Sequence, residues 1–272
     1  MKERVTVTIE RDLLDELDGQ IDGVVIKNRS HAMELNLSKV LKREHLKQAV
    51  ILAGGSYVVE QDGKDVPSFM LDINGRPIVE HNILMLKRQG IKDFILAVGF
   101  RKEMVKKRLG DGTKLGVTIK YLEEDQPLGT AGVLRKIASH INSTFLVCNG
   151  DELKDIDIKN MFDYHKKQGT SATIAITTAE STKEYGEVVL NGNRIYSFVE
   201  KPKGGASTNL INAGLYIFDP EVISHAPEGF GRLESDVFPK LASQEDLAGY
   251  MFYGKWLDVR DKKSLKEAEM TW

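Results

Sequence analysis

From Lys47 onward, short apolar runs alternate with amphipathic stretches, and this alternation limits the possible folds more than any other feature of the chain. AVILAGG, DFILAVGF, FLVCNGD and SATIAITT have the length and content of buried strands, while PIVEHNILMLKRQG and NMFDYHKKQG have helical spacing. Strand, helix and strand in succession predict a mostly parallel sheet covered by helices. Such sheets bind ligands beyond the carboxyl ends of their strands, so Gly54 and Gly55, closing the first run, mark a candidate site. The longest apolar stretch, around Phe94–Phe100, is far shorter than the ~18 residues of a membrane span, and no membrane association is expected. MKERVTVTIERD lacks the apolar run of a signal peptide, which leads to the expectation of a cytoplasmic protein. The single cysteine, Cys148, excludes an intramolecular disulfide and reads as a core residue. The six histidines show no metal-ligand spacing.

Residues before Lys47 follow a different pattern. Arg4, Thr6 and Thr8 alternate with Val5, Val7 and Ile9, the period of a half-buried strand. Leu13, Leu14, Leu17 and Ile21 then fall at helical spacing, and Ser30 is a suitable N-cap for a second helix carrying Met33, Leu37, Val40 and Leu41. One strand and two helices bury little surface, and a lone strand leaves its edge unpaired, so a second copy of the chain is the expected partner. The boundary falls between Arg43 and Gln48, dividing the chain into residues 1–46 and 47–272.

RVTVTIERDLLDELDGQIDGVVIKNRSHAMELNLSKVL resembles a ribbon-helix-helix domain of the Arc and MetJ repressor kind. The resemblance implies that two chains pair their strands into a ribbon entering the DNA major groove. Arg4, Thr6 and Thr8 would then face base edges, with Val5, Val7 and Ile9 in the dimer core. Lys27, Arg29 and Ser30, at the start of the second helix, would hold a DNA phosphate. The competing reading is a dimerisation module that binds nothing. Net charge does not decide between them, because 38 Lys and Arg face 40 Asp and Glu, and only a local patch can attract DNA.

Residues 48–271 resemble the sugar-phosphate nucleotidyltransferases, mannose-1-phosphate guanylyltransferases in particular. The resemblance rests on AVILAGG, INGRPIVEHNI, GIKDFILAVGF, EDQPLGTAG, FLVCNGDELKDID, YGEVVL, FVEKP, NLINAGLYIFDP, LESDVFPKL and WLDV, in register. It implies an α/β fold with a mixed, mostly parallel, Rossmann-like sheet, preceded here by the small N-terminal domain. It also implies transfer of a nucleotidyl group to a sugar 1-phosphate. Asp151 and Asp258 match the positions that hold Mg²⁺, which two carboxylates without phosphate partners would bind weakly. Leu128, Gly129 and Thr130 match a loop near the nucleotide, and Gly54 and Gly55 match the triphosphate loop. Gly186, Glu200, Lys201, Asn212 and Gly214 match sugar-contacting positions. Each also has a plainer reading, as a glycine turn or strand-end residue.

The match breaks at the phosphates. Where the family has glycine, threonine and arginine after the first strand, this chain has Tyr57, Val58 and Val59. Where it has a lysine before Pro-Met, this chain has Ser68 before Phe69 and Met70. Arg260 stands at a glycine position beside Asp258, either pairing with it or gripping a ligand phosphate. Removal of one pre-organised donor typically costs ~10²–10³ in rate. The resulting expectation is a transcription regulator that binds double-stranded DNA as a homodimer or higher even-numbered oligomer. Its degenerate, non-catalytic transferase domain would sense a sugar phosphate or nucleotide sugar. Two other readings stay open: an active sugar-1-phosphate nucleotidyltransferase with an N-terminal dimerisation module, and a DNA-binding protein whose large domain serves assembly.

Overall fold

The computed structural model describes residues 5–23, 26–41, 46–204 and 207–272. The chain divides into two compact units, residues 1–45 and 46–272.

The small unit contains helices α1 (Arg11–Asp18) and α2 (Arg29–Leu41). Leu14 and Leu17 of α1 are half-buried and Ala32 of α2 is buried. Arg29 ties the helices together, its Nε and Nη2 lying 2.6 and 2.5 Å from the Asp18 carboxylate. Asn36 Nδ2 donates to Gln20 Oε1 at 2.7 Å. Two expectations change here. Asn28, not Ser30, caps α2, because its Oδ1 accepts from the His31 N–H at 3.0 Å and Ser30 lies inside the first turn. Asn and Ser cap equally well, so spacing alone does not choose between them. Residues 5–10 form no strand: the single chain offers them no neighbouring strand among the described residues, and Val5 and Val7 are 76% and 59% exposed. Arg4 lies outside the described residues. Thr6, Thr8 and Lys27 are exposed.

In the large unit, β1 (Gln48–Ala53) is followed by the hairpin β2 (Val58–Gln61) and β3 (Lys64–Pro67) and the short pair β4 (Asp72–Ile73) and β5 (Arg76–Pro77). Next come α3 (Ile78–Arg88), β6 (Asp93–Val98), α4 (Lys102–Leu109), β7 (Thr118–Glu123), α5 (Gly129–Ile137), β8 (Phe145–Asn149), β9 (Glu152–Lys154) and α6 (Ile158–Gln168). The second half holds β10 (Ala172–Thr178), β11 (Gly186–Asn191), β12 (Arg194–Glu200), β13 (Leu210–Phe218), α7 (Phe238–Ser243), β14 (Leu247–Met251), β15 (Trp256–Asp258) and α8 (Lys262–Thr271).

Nine strands form one mixed sheet in the order β10-β14-β12-β11-β13-β8-β1-β6-β7. Strands β8, β1, β6 and β7 are parallel, as the strand–helix alternation implies. Beyond them β13 runs antiparallel to β8, and the remaining half is mainly antiparallel. Apolar side chains leave both faces of the sheet. Leu96, Val98 and Leu146 belong to one core cluster, whereas Val50, Ile95 and Val147 belong to another. At β1 the chain has β8 on one side and β6 on the other, so the carboxyl end of β1 is the topological switch point. A third, smaller core around Leu71, Ile78, Leu153 and Val259 supports the elements at this end.

Candidate functional site

The carboxyl ends of the four parallel strands open into a cleft of about 870 Å³. Gly54, Gly55 and Ser56 follow β1, Gly99 and Phe100 follow β6, Glu124 and Asp125 follow β7, and Asn149 and Asp151 end β8 or follow it. Gly129 and Thr130 of α5, Glu200 at the end of β12 with Lys201 after it, and Phe230, Arg232 and Glu234 complete the wall. A side chain at Gly54 would meet the carboxylate end of Glu124, which would have to move aside.

Carboxylates outnumber cations on this wall. Glu124, Asp125, Asp151, Glu200 and Glu234 line it, and the Lys and Arg side chains there are Lys201 and Arg232. Burial, with the neighbouring Glu234 carboxylate, pushes the Glu200 carboxyl above its ordinary range, and burial does the same to Glu234. Asn149 Oδ1 and Glu200 Oε2 are buried without a hydrogen-bond partner among the described residues. Both residues line the cleft, with these two oxygens turned away from solvent.

Of the ligand residues singled out in the sequence, Gly54, Gly55, Gly129, Thr130, Glu200 and Lys201 meet around this cleft, together with Asp151. The others do not line it. Leu128 donates its N–H to Glu124 Oε2 at 2.8 Å, which sets the loop. Thr130 lines the cleft, but its hydroxyl donates to Glu234 Oε2 at 2.9 Å and accepts from the Leu233 N–H at 2.8 Å. Asn212 spends its amide inside the protein, donating to the Tyr216 hydroxyl at 2.9 Å and accepting from the Gly214 N–H at 2.9 Å. Gly186 lies under the Phe198 ring. Gly214 has φ +62°, and a side chain there would strike the Glu152 carboxylate and the Asn149 amide.

Beside the cleft, β9 and β15 pair so that Glu152 stands opposite Asp258, with Asp151 next to Glu152. Three acids crowd together. Burial, then Glu152, pushes the Asp258 carboxyl up to about 7 against the opposing pull of Arg260. Burial and Glu152 likewise raise Asp151, whose Oδ2 accepts from the Ser68 hydroxyl at 3.3 Å. Arg260 Nε contacts Asp258 Oδ2 directly. Lys154, which the sequence reading passed over, sits beneath this cluster and is 1% exposed, with Nζ 3.3 Å from Glu152 Oε2. A buried lysine two residues past an acid on a short strand carries no periodic signal, so only the fold exposes its role.

The resemblance in the sequence implies Mg²⁺ between Asp151 and Asp258. Here the residues fit such an ion poorly, because the Asp258 oxygen that would bind it is engaged by a guanidinium. No group of three or more His, Cys, Asp or Glu among the described residues is arranged around a common ion position. Tyr57 and Lys64 belong to the β2–β3 region and do not line the cleft, and Ser68 and Phe69 are buried.

A family model described as nucleotidyl transferase matches residues 48–272. Mannose-1-phosphate guanyltransferase 2 of Candida glabrata is 37% identical over 205 residues, 73% of this chain and 56% of its own length. Mannose-1-phosphate guanyltransferase beta-B of Xenopus laevis is 34% identical over 223 residues, 79% of this chain and 62% of its own. The chain therefore spans only about three-fifths of these relatives. The crystal structure of HddC from Yersinia pseudotuberculosis superposes with a TM-score of 0.71 at 24% identity, over 83% of this chain and 99% of that one, and shows the same fold.

These relatives overturn the expectation of a DNA-binding transcription regulator with double-stranded DNA as partner, since proteins similar over most of the chain are transferases by name. Among the described residues of the small unit, two of the groups assigned to DNA are engaged within the protein. Arg29, assigned to a DNA phosphate, is committed to Asp18, and the helix start assigned to Ser30 is already capped by Asn28. Among the described residues no helix is long and apolar enough to cross a membrane.

Proposed function

Since the chain belongs to the nucleotidyl transferase family, an enzyme kind, we propose that its large unit joins a nucleoside monophosphate to a sugar 1-phosphate. An oxygen of the sugar phosphate attacks the α-phosphorus of a nucleoside triphosphate. The bond from that phosphorus to the β-phosphate oxygen breaks, and pyrophosphate leaves. Such chemistry asks the protein mainly to align the reactants and offset phosphate charge. The observation that carries this reading is the cleft at the carboxyl ends of β1, β6, β7 and β8, whose wall presents Lys201 and Arg232 beside carboxylate and amide acceptors. Acceptors suit sugar hydroxyls and the cations suit phosphate. The relatives' names point to GTP and mannose 1-phosphate as the pair to test.

Turnover in this reading is slow. Tyr57, Val58, Val59 and Ser68 stand where phosphate-gripping groups are expected, and each missing donor lowers the rate ~10²–10³-fold. With GTP, mannose 1-phosphate and Mg²⁺, pyrophosphate release and GDP-mannose should appear together at a rate at least two to three orders below the ~1–10³ s⁻¹ of ordinary enzymes, the cost of one donor being the minimum because such losses do not simply multiply. Full-speed turnover overturns the slowness. If mass spectrometry finds no nucleotide sugar with any common nucleoside triphosphate and hexose 1-phosphate, transfer itself is overturned.

For residues 1–46 we infer a module that pairs with the same segment of a second chain. The exposed Val5 and Val7, alternating with Thr6 and Thr8, suit an intermolecular strand ladder that one chain alone does not form.

A further inference from the structure

The acid cluster beside the cleft brings its own counter-charge. Asp151, Glu152 and Asp258 come together at the β9–β15 pair, and two cations meet them from within the protein. Lys154 is held by three oxygens, at 3.3 Å from Glu152 Oε2, 3.2 Å from the Asn149 carbonyl and 3.3 Å from the Gly214 carbonyl. With the Cys148 sulfur at 3.8 Å, those partners occupy its three donors. Arg260 is held on several sides. Its Nε lies on Asp258 Oδ2, its Nη1 donates to the Glu184 carbonyl at 3.3 Å, and its guanidinium stacks 4.8 Å from the centre of the Tyr185 ring. Its own carbonyl accepts from the Tyr57 hydroxyl at 2.9 Å, and Tyr57 is one of the residues that depart from the family's phosphate loop.

From this we infer that Arg260, with Lys154 beneath it, is a resident substitute for a divalent cation at the Asp258 end of the site. Both guanidinium and divalent ion seek the same carboxylate oxygen, and they exclude each other by charge and by space. Glu152 and Asp258 thus each have a directly paired cation, Arg260 also lying 3.8 Å from the Glu184 carboxylate, while the third acid, Asp151, faces the cleft with the Ser68 hydroxyl beside it. A single carboxylate holds Mg²⁺ or Mn²⁺ poorly without phosphate oxygens to complete the shell. The anchoring is specific to a guanidinium, which stacks on an aromatic ring while its edge meets a carboxylate. This inference concerns the empty-handed protein and does not rest on the proposed transfer reaction.

Divalent binding by the full chain, without nucleotide, tests it directly. Free Mn²⁺ is followed by electron paramagnetic resonance during a titration of the wild type, Arg260→Gly and Arg260→Gly/Asp258→Asn. The wild type should show no saturable Mn²⁺ site below millimolar concentration. Arg260→Gly should tighten binding roughly 10–100-fold, the range over which neighbours tune metal sites, and Asp258→Asn should reverse the gain. If Arg260→Gly does not fold by circular dichroism, Arg260→Gln removes the charge while keeping the stem and should show the same gain. Unchanged Mn²⁺ affinity in a folded Arg260 variant, or a tight wild-type site lost in Asp258→Asn alone, overturns the inference. Absence of turnover would leave these readings untouched, so the two proposals fail separately.

Discussion

Charges in this protein are decided by what surrounds them, and Asp219 shows how. Burial alone would raise its carboxyl, but the His165 ring 3.5 Å away and the Thr144 hydroxyl, with Lys166 at 3.6 Å, bring it down to about 2. A folded value below the ~3.9 of an unfolded aspartate stabilises the fold above about pH 4, and this contribution disappears as the pH falls toward 2. With part of the carboxylate in water the effect is on the order of 1 kcal/mol. Urea unfolding of wild type and Asp219→Asn should therefore differ at pH 7 and converge near pH 2–3, and a gap that ignores pH would count against this account. In the cleft, Lys201→Ala removes one of the two cations of the wall and should lower kcat/KM for transfer roughly tenfold or more, with little change in melting temperature. At this scale the sequence was legible where a motif carried the residue, as with Glu200 and Lys201. It was silent on Lys154, Arg232 and Glu234, because nothing in local spacing says which distant segments will share a wall.

Among the elements, three of the four parallel strands, β1, β6 and β8, were readable because apolar runs closed by glycine leave few alternatives, whereas β7, TIKYLE, alternates polar and apolar residues and is no such run. The short pairs β2–β3, β4–β5 and β9–β15 were not, since two to four residues cannot display a period and their pairing is long-range or set by a turn. Strand β13 carries a demanding local geometry at Gly214. At Gly214 a methyl group meets both a left-handed backbone and the Glu152 and Asn149 side chains, whereas Gly192, at φ +60°, has open space around it. Gly214→Ala should therefore lose on the order of 2 kcal/mol, a fall in Tm of roughly 4–8 °C. Gly192→Ala should lose about half as much, from backbone strain alone. Differential scanning calorimetry on the two variants separates collision from strain, and equal losses would show that the β9 contact contributes nothing.

For the molecule as a whole, the strand–helix alternation predicted a sheet but not its antiparallel half, because hydrophobic pattern does not encode the direction in which a neighbour runs. The pairing proposed for the small unit makes a claim at this scale. Light scattering should find wild type at twice the mass of the chain, and Val5→Lys/Val7→Lys should bring it to single mass without lowering the Tm of the large unit. A wild type of single mass would exclude the pairing. The place of β13 in the sheet also bears on how the protein is made. It closes the free side of β8, yet it lies far later in the chain, after β9 to β12 have all been added. A ribosome adding ~5–20 residues per second leaves the apolar β8 edge uncovered for roughly 3–14 s before Phe218 arrives. During each round of synthesis the nascent parallel half is thus a sticky, half-finished object, and chaperone demand should peak in that interval.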